Sequence, residues 1–263
     1  MTSQDAFEAG TAAERVVATL RPLASAERAV AEKAYLKSDL TFLGVGVPAV
    51  RAAVTDAARC YGDLGRAAVL AWARALWGVP VHERRSAAIE LLRRYVAVLQ
   101  PDDLPQLEAW VRESRSWAYV DPLAGDVAGA IALRHGGAWP LIDAWAADPD
   151  FWVRRSALLT LLPGIRRGQP DPERFERYAT PMLAEKEFFI RKAIGWVLRE
   201  TARKDPAYVA AWTRAHLDQM SGVTFREAVR RLPGPDAAAL AAAWSGRSRS
   251  SGRTGGVGRP GGT

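Results

Sequence analysis

A single carboxylate in a column of basic residues is the feature of this sequence best suited to chemistry. The column consists of charged residues that recur at intervals of 34, 36, 34, 37 and 34 residues: Arg51, Arg85, Asp121, Arg155, Lys192 and Arg226. Because a period in the mid-thirties is typical of stacked helical hairpins, we expect these positions to line one surface. Such a surface would attract a polyanion through its cations, and Asp121 would be the place for chemistry.

Two tryptophans are in phase with this column. Trp117 lies four residues before Asp121, and Trp196 lies four residues after Lys192. On a helix, each indole would share a face with its charged neighbour, one turn away. Tryptophan on a helix usually belongs to the core, but charged residues are seldom fully buried. The shared phase therefore predicts that both indoles border the basic column.

The composition is that of an ordinary globular chain. The protein has 263 residues, of which 49% are hydrophobic and 25% are charged. No apolar run approaches the ~20 residues that span a bilayer, and the first residues lack the apolar core of a secretory signal. A single cysteine, Cys60, fits a reducing cytosol, and three scattered histidines argue against a zinc site. We expect a cytoplasmic monomer without metal or cofactor.

The net charge of +7 is unevenly distributed. Residues 245–263 form a Gly/Ser/Arg stretch with four arginines and no acid, which leaves +3 for residues 1–244. This composition cannot bury a core, so we predict a disordered tail after a repeat domain of residues 1–244. The tail is either simply solvated or a source of loose attraction to nucleic acid.

Nearly every other segment has the pattern of an amphipathic helix. Residues 81–99, for example, place Ala88, Leu91 and Leu92 on one face at three- and four-residue spacing. Glycine, proline and aspartate clusters separate such segments, and no alternating run of strand length is present. The sequence predicts an all-α fold, a right-handed solenoid of HEAT-like helical hairpins with a concave basic face.

Two segments are copies of one another. Residues 150–159 and 187–196 each begin with an acid, continue with two aromatic residues, and then carry two basic residues. The basic pairs are Arg154 with Arg155 and Arg191 with Lys192. This pattern resembles HEAT-like repeats.

The segments around these residues resemble AlkD-type DNA glycosylases of the HEAT-like DNA alkylation repair family. The resemblance extends from about residue 25 to about residue 235, and it is most specific over residues 186–200. The sequences Ser-Trp-Ala-Tyr-Val-Asp ending at Asp121 and Phe-Trp-Val-Arg-Arg ending at Arg155 also match, and residues 35–44 look like the opening motif of the family.

This resemblance implies roles for individual residues. Trp117 and Trp196 would pack against the deoxyribose of the lesion, and Asp121 would support the sugar cation and the attacking water. Arg155 would hold the DNA backbone, and Tyr35 would be a further DNA contact. The remaining expected DNA contacts are Arg51, Arg85, Arg154, Arg191, Lys192 and Arg226.

Two positions depart from the family pattern. Ser116 stands where the family often has a second tryptophan, and Gly46 stands where we expect a polar residue that contacts DNA. Neither position is expected to touch the reacting atoms, but both are expected to influence the affinity for DNA.

Release of an alkylated purine requires few functional groups. A purine alkylated at N3 or N7 carries a positive charge and leaves without a general acid, unlike the sugar of an ordinary glycoside. One carboxylate then suffices to stabilise the sugar cation and to orient or deprotonate water. An uncharged lesion would be a poor substrate, because no proton donor for the leaving base is evident.

Three functions follow from these patterns. The first, which the resemblance implies, is a monofunctional glycosylase that releases cationic alkylpurines from duplex DNA in bacterial base excision repair, without base flipping. The second is a non-catalytic protein that binds damaged or branched DNA. The third is a protein-binding helical scaffold, which an acidic or apolar groove would favour. The joint presence of Trp117, Asp121, Arg155 and Trp196 favours the enzyme.

Overall fold

The computed structural model describes residues 7–251, with side chains up to residue 247. Over this range the chain forms helices joined by short turns and no strand, with one isolated bridge between Thr41 and Val81. The all-α prediction is thereby confirmed for the described residues. None of the helices in this range is long and apolar enough to cross a membrane. The chain divides into two compact units, Met1–Thr160 and Leu161–Thr263.

The first unit contains ten α-helices within its described residues. They are α1 (Ala9–Leu20), α2 (Ala26–Leu36), α3 (Val47–Arg59), α4 (Arg66–Trp77), α5 (His82–Arg94), α6 (Leu104–Ser114), α7 (Trp117–Pro122), α8 (Gly129–Arg134), α9 (Trp139–Trp145) and α10 (Phe151–Leu159). A π-helix, Leu123–Ala128, continues α7 and leads into α8. Short 3-10 turns occupy Arg21–Leu23, Val96–Val98, Pro101–Asp103 and Gly136–Ala138.

The second unit continues the same architecture. Its helices are α11 (Leu162–Arg166), α12 (Pro172–Met182), α13 (Phe188–Thr201), α14 (Pro206–Ala215), α15 (Gly222–Ala228) and α16 (Gly234–Ser251), with a 3-10 turn at Val229–Arg231. Helices α13 and α15 pack closely because Gly195 has no side chain. A Cβ atom at residue 195 would lie 2.6 Å from the Cβ atom of Glu227.

Short polar side chains begin many of these helices. Ser25, Ser116 and Asp150 precede α2, α7 and α10, and each side-chain oxygen accepts a backbone N–H of the first turn. Asp171 and Glu187 do the same for α12 and α13. Such caps satisfy donors that a helix leaves unpaired, and they fix where each helix begins.

Polar contacts inside the first unit reproduce the period of the sequence. Several side chains bond to a partner about one repeat further along the chain, because equivalent positions of neighbouring hairpins face each other. The pairs and their separations in sequence are Arg66–Asp103 (37), Trp77–Glu113 (36), Trp145–Glu108 (37) and Arg112–Asp148 (36). The mid-thirties period thus corresponds to physical contacts between repeats.

The loop that follows α2 is fastened to α5 by a buried carboxylate. Both oxygens of Glu83 accept backbone N–H groups, from Leu43 at 2.9 Å, from Gly44 at 2.7 Å and from Val45 at 3.0 Å. Gly44 has a φ of +76°, and a Cβ atom at this residue would lie 2.1 Å from the carbonyl oxygen of Ser25. Only glycine fits here, and the close approach places α2 against the loop.

The end of the chain differs from the sequence-based expectation. We predicted a disordered tail from residue 245, but α16 continues to Ser251. Part of this helix is held by Arg247, whose guanidinium lies 3.7 Å from the ring centroid of Trp244 and donates a hydrogen bond to the carbonyl of Leu217. The rest of the predicted tail, residues 252–263, lies outside the described residues.

Replacement of Gly44 with alanine is expected to destabilise the protein more than replacement of Gly62. Both glycines have positive φ, so both alanine variants lose about 1–2 kcal/mol from the left-handed backbone. At Gly62 nothing lies within 4 Å of the new Cβ atom, whereas the clash at Gly44 adds roughly 1–3 kcal/mol. Urea unfolding of the two variants measures the difference. Equal losses of unfolding free energy would show that the contact with Ser25 is not tight.

Candidate functional site

Helix α7 has one face in the core and one face toward solvent. Tyr119 and Val120 are buried, whereas Trp117 is 38% exposed and Asp121 is largely covered but still reaches the surface. Trp117 and Asp121 are four residues apart, so they share the outer face of the helix, one turn from each other. The indole and the carboxylate thus stand together at the surface, as the spacing predicts.

Asp121 forms a two-pronged ion pair with Arg155 of α10. The Nε and Nη2 atoms of Arg155 each donate to a different oxygen of Asp121, and both distances are 2.8 Å. The Arg155 side chain is 3% exposed and the Asp121 side chain is 15% exposed. Paired, charge-assisted bonds of this kind fix both groups in one orientation, which is why the carboxylate has a defined direction.

The burial of this pair changes our expectation for Arg155. The sequence predicted a side chain that faces the DNA backbone, but in the structure the guanidinium is enclosed and is a partner of Asp121. The physical reason is the cost of an unpaired carboxylate in a nearly dry place, which a neighbouring cation offsets.

The ionisation of Asp121 reflects opposing influences. Burial raises the pKa of its carboxyl group, the hydrogen bonds and positive charge of Arg155 oppose this rise, and the nearby negative charge of Asp126 adds to it. The net result is a pKa above the ordinary value for aspartate. Asp121 therefore takes up a proton more readily than an exposed aspartate.

Tyr35 lies beside Trp117, although the two residues are far apart in the sequence. The rings meet edge to face, with 6.2 Å between their centroids, and Tyr35 is 73% exposed. Tyr35 belongs to the last turn of α2, a helix without a buried residue. The structure thus groups Tyr35, Trp117 and Asp121 on one part of the first unit.

A buried hydrogen bond lies under α7. Nδ1 of His82 is 2.6 Å from the hydroxyl of Tyr119, and the ring of His82 stacks on Phe42 at 4.5 Å. Burial lowers the pKa of His82 and raises the pKa of Tyr119, so both groups are held in their neutral forms. This contact joins α7 to α5 and to the loop that Glu83 fastens.

In the first unit, Arg51 and Arg85 of the column are engaged with acids further along the chain, whereas Arg155 pairs with Asp121, which precedes it. Arg51 donates to both oxygens of Glu90, at 2.8 and 3.1 Å. The guanidinium of Arg85 lies 3.7 Å from Glu113 and 4.8 Å from the ring centroid of Trp77. The column is therefore a series of ion pairs, and its positive charge is lower than the sequence suggested.

In the second unit, Lys192 and Trp196 lie one turn apart on α13. Lys192 and Arg199 both form ion pairs with Glu227 of α15. Burial opposes ionisation of Glu227, but the two cations hold the pKa of this carboxyl below its ordinary value. Trp196 is half-buried. Neither Lys192 nor Trp196 belongs to the core of the unit.

The other predicted DNA contacts have varied surroundings. Arg154 donates to the carbonyls of Asp148 and Pro149, and Arg191 donates to the carbonyl of Glu185, so both brace the turn before their helix. This similarity extends the match between the two copied segments. The remaining residue, Arg226 on α15, is exposed and available to a ligand.

The two departures from the family pattern have structural explanations. Ser116 caps α7, because its hydroxyl accepts the backbone N–H of Ala118 at 3.4 Å. At Gly46 the missing side chain leaves room for Arg28, whose Nη1 atom would lie 3.1 Å from a Cβ atom there.

Sequence reasoning missed several acids that take part in the polar contacts of the two units. Glu83, Glu90, Asp126 and Glu227 were not singled out, although two of them pair with members of the column. A search for opposite charges about one repeat apart would have found Glu90 and Glu227, which lie 39 and 35 residues after their partners. Among the described residues, no group of three or more potential metal ligands occurs.

Together, these features define an all-α protein of stacked helices with a buried carboxylate–guanidinium pair beside exposed aromatic rings. A family model of DNA alkylation repair enzymes matches residues 16–232. The chain therefore belongs to the DNA alkylation repair enzyme family, and its role is in DNA repair.

One solved structure extends this comparison. The chain is similar to a predicted DNA alkylation repair enzyme from Enterococcus faecalis, with a TM-score of 0.72 and 23% sequence identity. The match covers 80% of this chain and 97% of the other. At this identity the likeness shows a common fold only. A search of curated proteins gave no match.

Removal of the guanidinium of Arg155 is expected to destabilise the protein in a pH-dependent manner. Arg155→Met leaves Asp121 buried without its cation, which costs about 3–5 kcal/mol of unfolding free energy at neutral pH. The folded-state pKa of Asp121 then lies further above its unfolded value of about 3.9. The loss of unfolding free energy is therefore smallest at acid pH and grows as the pH rises above the unfolded-state pKa. Urea unfolding between pH 4 and pH 8 measures this dependence.

Arg59→Met is the matched control. Arg59 forms an ion pair with Asp56 at 2.8 Å, but the two side chains are 71% and 61% exposed. The control is expected to lose less than about 1 kcal/mol and to depend little on pH. If the two variants behaved alike, the Asp121–Arg155 pair would not be a buried interaction in solution.

Proposed function

We propose that this protein is a monofunctional DNA glycosylase that hydrolyses the N-glycosidic bond of cationic N3- or N7-alkylated purines in duplex DNA. The observation that carries the proposal is the Asp121 carboxylate, fixed in direction by Arg155 and one turn from the exposed ring of Trp117. Membership in a DNA alkylation repair family supplies the substrate class. The Asp121 carboxylate is the group that would act on this substrate.

The reaction begins with loss of the base. An alkylated purine already has a positive charge, so it departs as a neutral molecule with the electrons of the C1′–N bond. The positive charge moves to the sugar, where a carboxylate at a fixed position stabilises it. Asp121 takes this role, and Trp117 contributes an aromatic face, which attracts a cation by about 0.5–2 kcal/mol.

Water then completes the hydrolysis. A water molecule adds to C1′ of the sugar cation, and its surplus proton passes to the Asp121 carboxylate or to solvent. The raised pKa of Asp121 suits this step, because a more basic carboxylate is a better proton acceptor. Lys192 is engaged with Glu227, so we assign it no role as a nucleophile and expect no cleavage of the DNA strand.

Arg155 is assigned a different role from the one that the resemblance implied. Its guanidinium keeps Asp121 ionised and directed, and this role needs no contact with DNA. A phosphate near the pair would attract the same guanidinium and could share it with Asp121. In that case the free energy of DNA binding would contribute to freeing one oxygen of the carboxylate for the sugar.

Neutralisation of the DNA phosphates by cations of the column is also part of the proposal. We place the duplex along the column, where Arg51, Lys192 and Arg226 would neutralise phosphates without reading sequence. Two of these cations have acid partners, so a phosphate must compete with Glu90 or Glu227 for them. The base would be released without entering a deep pocket.

Asp121→Asn is expected to abolish base release. The amide keeps the size of the side chain but has no negative charge for the sugar cation, so the rate should fall by at least about 100-fold. The assay uses a duplex with a single N7-methylguanine and measures free base by chromatography. DNA binding, followed by fluorescence anisotropy, should be retained or stronger because a negative charge has been removed.

Asp56→Asn is the control for this experiment. Asp56 is an exposed aspartate of the same unit that also has an arginine partner, so its replacement should leave the rate unchanged. Full turnover by Asp121→Asn would refute the assigned role. Tight binding of alkylated duplex without base release by the wild type would instead support a non-catalytic binding protein.

Arg226→Ala is expected to reduce the salt dependence of DNA binding. Loss of one phosphate contact should make the slope of log Kd against log salt shallower by about 0.9. Arg59→Ala serves as the control, because Arg59 is also exposed but lies outside the column. Equal slopes for the two variants would contradict the placement of the duplex along the column.

A further inference from the structure

The helix that carries Asp121 changes its hydrogen-bonding pattern directly after this residue. Pro122 is the last residue of α7, and a π-helix, Leu123–Ala128, follows. Proline has no N–H group, and its ring crowds the carbonyl of the fourth residue before it, so the regular pattern cannot continue. The backbone N–H of Gly129 bonds to the carbonyl of Ala124, five residues back, as in a π-turn.

This wider turn changes which residue lies under Asp121. In an α-helix, residue 126 would be rotated roughly 140° from residue 121, toward the other side of the helix. In a π-turn, whose hydrogen bonds join residues five apart, the angle about the helix axis between residues 121 and 126 is smaller. Asp126 is thus brought to the side of the helix where Asp121 lies. Its side chain is 32% exposed, so it is neither in the core nor fully solvated.

Asp126 belongs to a chain of ion pairs. Nε of Arg93 lies 3.3 Å from an oxygen of Asp126, and Nη1 of Arg93 donates to Glu90 at 2.8 Å. Glu90 in turn accepts two bonds from Arg51. The chain runs from α3 through α5 to the π-helix, so the charge of Asp126 is fixed in place by residues of two other repeats.

We infer that Asp126 is a positioning residue for the reaction, which acts through Asp121 by controlling how readily that carboxylate takes up a proton. This inference rests on the catalytic role proposed for Asp121. A neighbouring like charge favours protonation of a carboxylate, and the charge of Asp126 adds to the rise in the pKa of Asp121 that burial causes first. Arg93 moderates the effect because it neutralises part of the charge of Asp126.

The other charged groups around Asp121 have defined partners. Arg155, from α10, binds both oxygens of Asp121, and Arg93 and Glu90 face the π-helix from α5. The charged side chains of α6 point elsewhere. They are Glu108, Arg112 and Glu113, which bind Trp145, Asp148 and Trp77 respectively. Asp126 and Arg93 therefore offer a way to change the charge near Asp121 while Arg155 itself is left unaltered.

The two residues should act in opposite directions. Base release requires an ionised Asp121, so its rate falls as the pH drops through the pKa of this group. Asp126→Asn removes a negative charge and lowers that pKa, so the acid limb of the pH–rate profile should move to lower pH. Arg93→Gln removes the compensating cation and should move the limb to higher pH. Each displacement is expected to be between a few tenths of a pH unit and about one unit.

The experiment measures kcat/KM for release of N7-methylguanine from duplex DNA between pH 4 and pH 8, after subtraction of the rate without enzyme. Asp126→Glu is the conservative variant, because it keeps the charge, and its limb should stay within about 0.2 units of the wild type. A residue that only stabilised the fold would change the rate at every pH without moving the limb. Opposite displacements for Asp126→Asn and Arg93→Gln support the inference, whereas unmoved limbs or displacements in the same direction overturn it.

A titration without substrate separates this inference from the proposed function. The carboxyl carbon of Asp121 can be followed by NMR in protein with ¹³C-labelled aspartate and assigned by its loss in Asp121→Asn. If the wild type releases no base, the proposed function fails, but the inferred coupling still predicts opposite shifts of this titration in the two variants. If base release is normal and the titration is the same in all variants, the inference alone fails.

Discussion

Asp121 and Arg155 bind each other through two hydrogen bonds of 2.8 Å in a place that water scarcely reaches. Much of the site depends on this contact. A carboxylate left alone there would take up a proton, and a guanidinium left alone would be costly to bury. The pair links α7 to α10 across 34 residues and gives the carboxylate a fixed direction beside Trp117. The same contact therefore serves the packing of the repeats and the electrostatics of the site.

Charged residues in other repeats also form ion pairs with residues about one period away. Arg51 pairs with Glu90, and Lys192 pairs with Glu227, in each case across about one period of the sequence. In both pairs the cation is the more exposed partner, with 54% exposure for the side chain of Arg51 and 41% for that of Lys192. A polyanion can therefore reach the cations from solvent, while the acids behind them hold the side chains in place. In the Asp121–Arg155 pair the order is reversed, because the acid is the more exposed partner, and the same holds for Glu113 with Arg85.

The sequence predicts those features that depend on local spacing. The all-α fold follows from apolar residues at three- and four-residue spacing, and the common face of Trp117 and Asp121 follows from their separation by four. The helix predicted over residues 81–99 exists but ends at Arg94, because Tyr95 leaves the helical conformation and its hydroxyl bonds to the carbonyl of Gly62.

Features that depend on contacts between repeats were not predicted. The sequence does not predict that the side chain of Arg155 is buried. Its partner Asp121 lies 34 residues away, and the direction of the side chain depends on how the two helices pack. The position of Asp126 depends on a π-turn, for which Pro122 is the only local signal.

The central claim concerns chemistry: one directed carboxylate is sufficient because the leaving base brings its own positive charge. The most direct measurement compares base release from two duplexes, one with cationic N7-methylguanine and one with uncharged hypoxanthine at the same position. The account predicts rapid release of the first and none of the second above the rate without enzyme. Comparable release of both bases would contradict it, because an uncharged purine needs a proton donor.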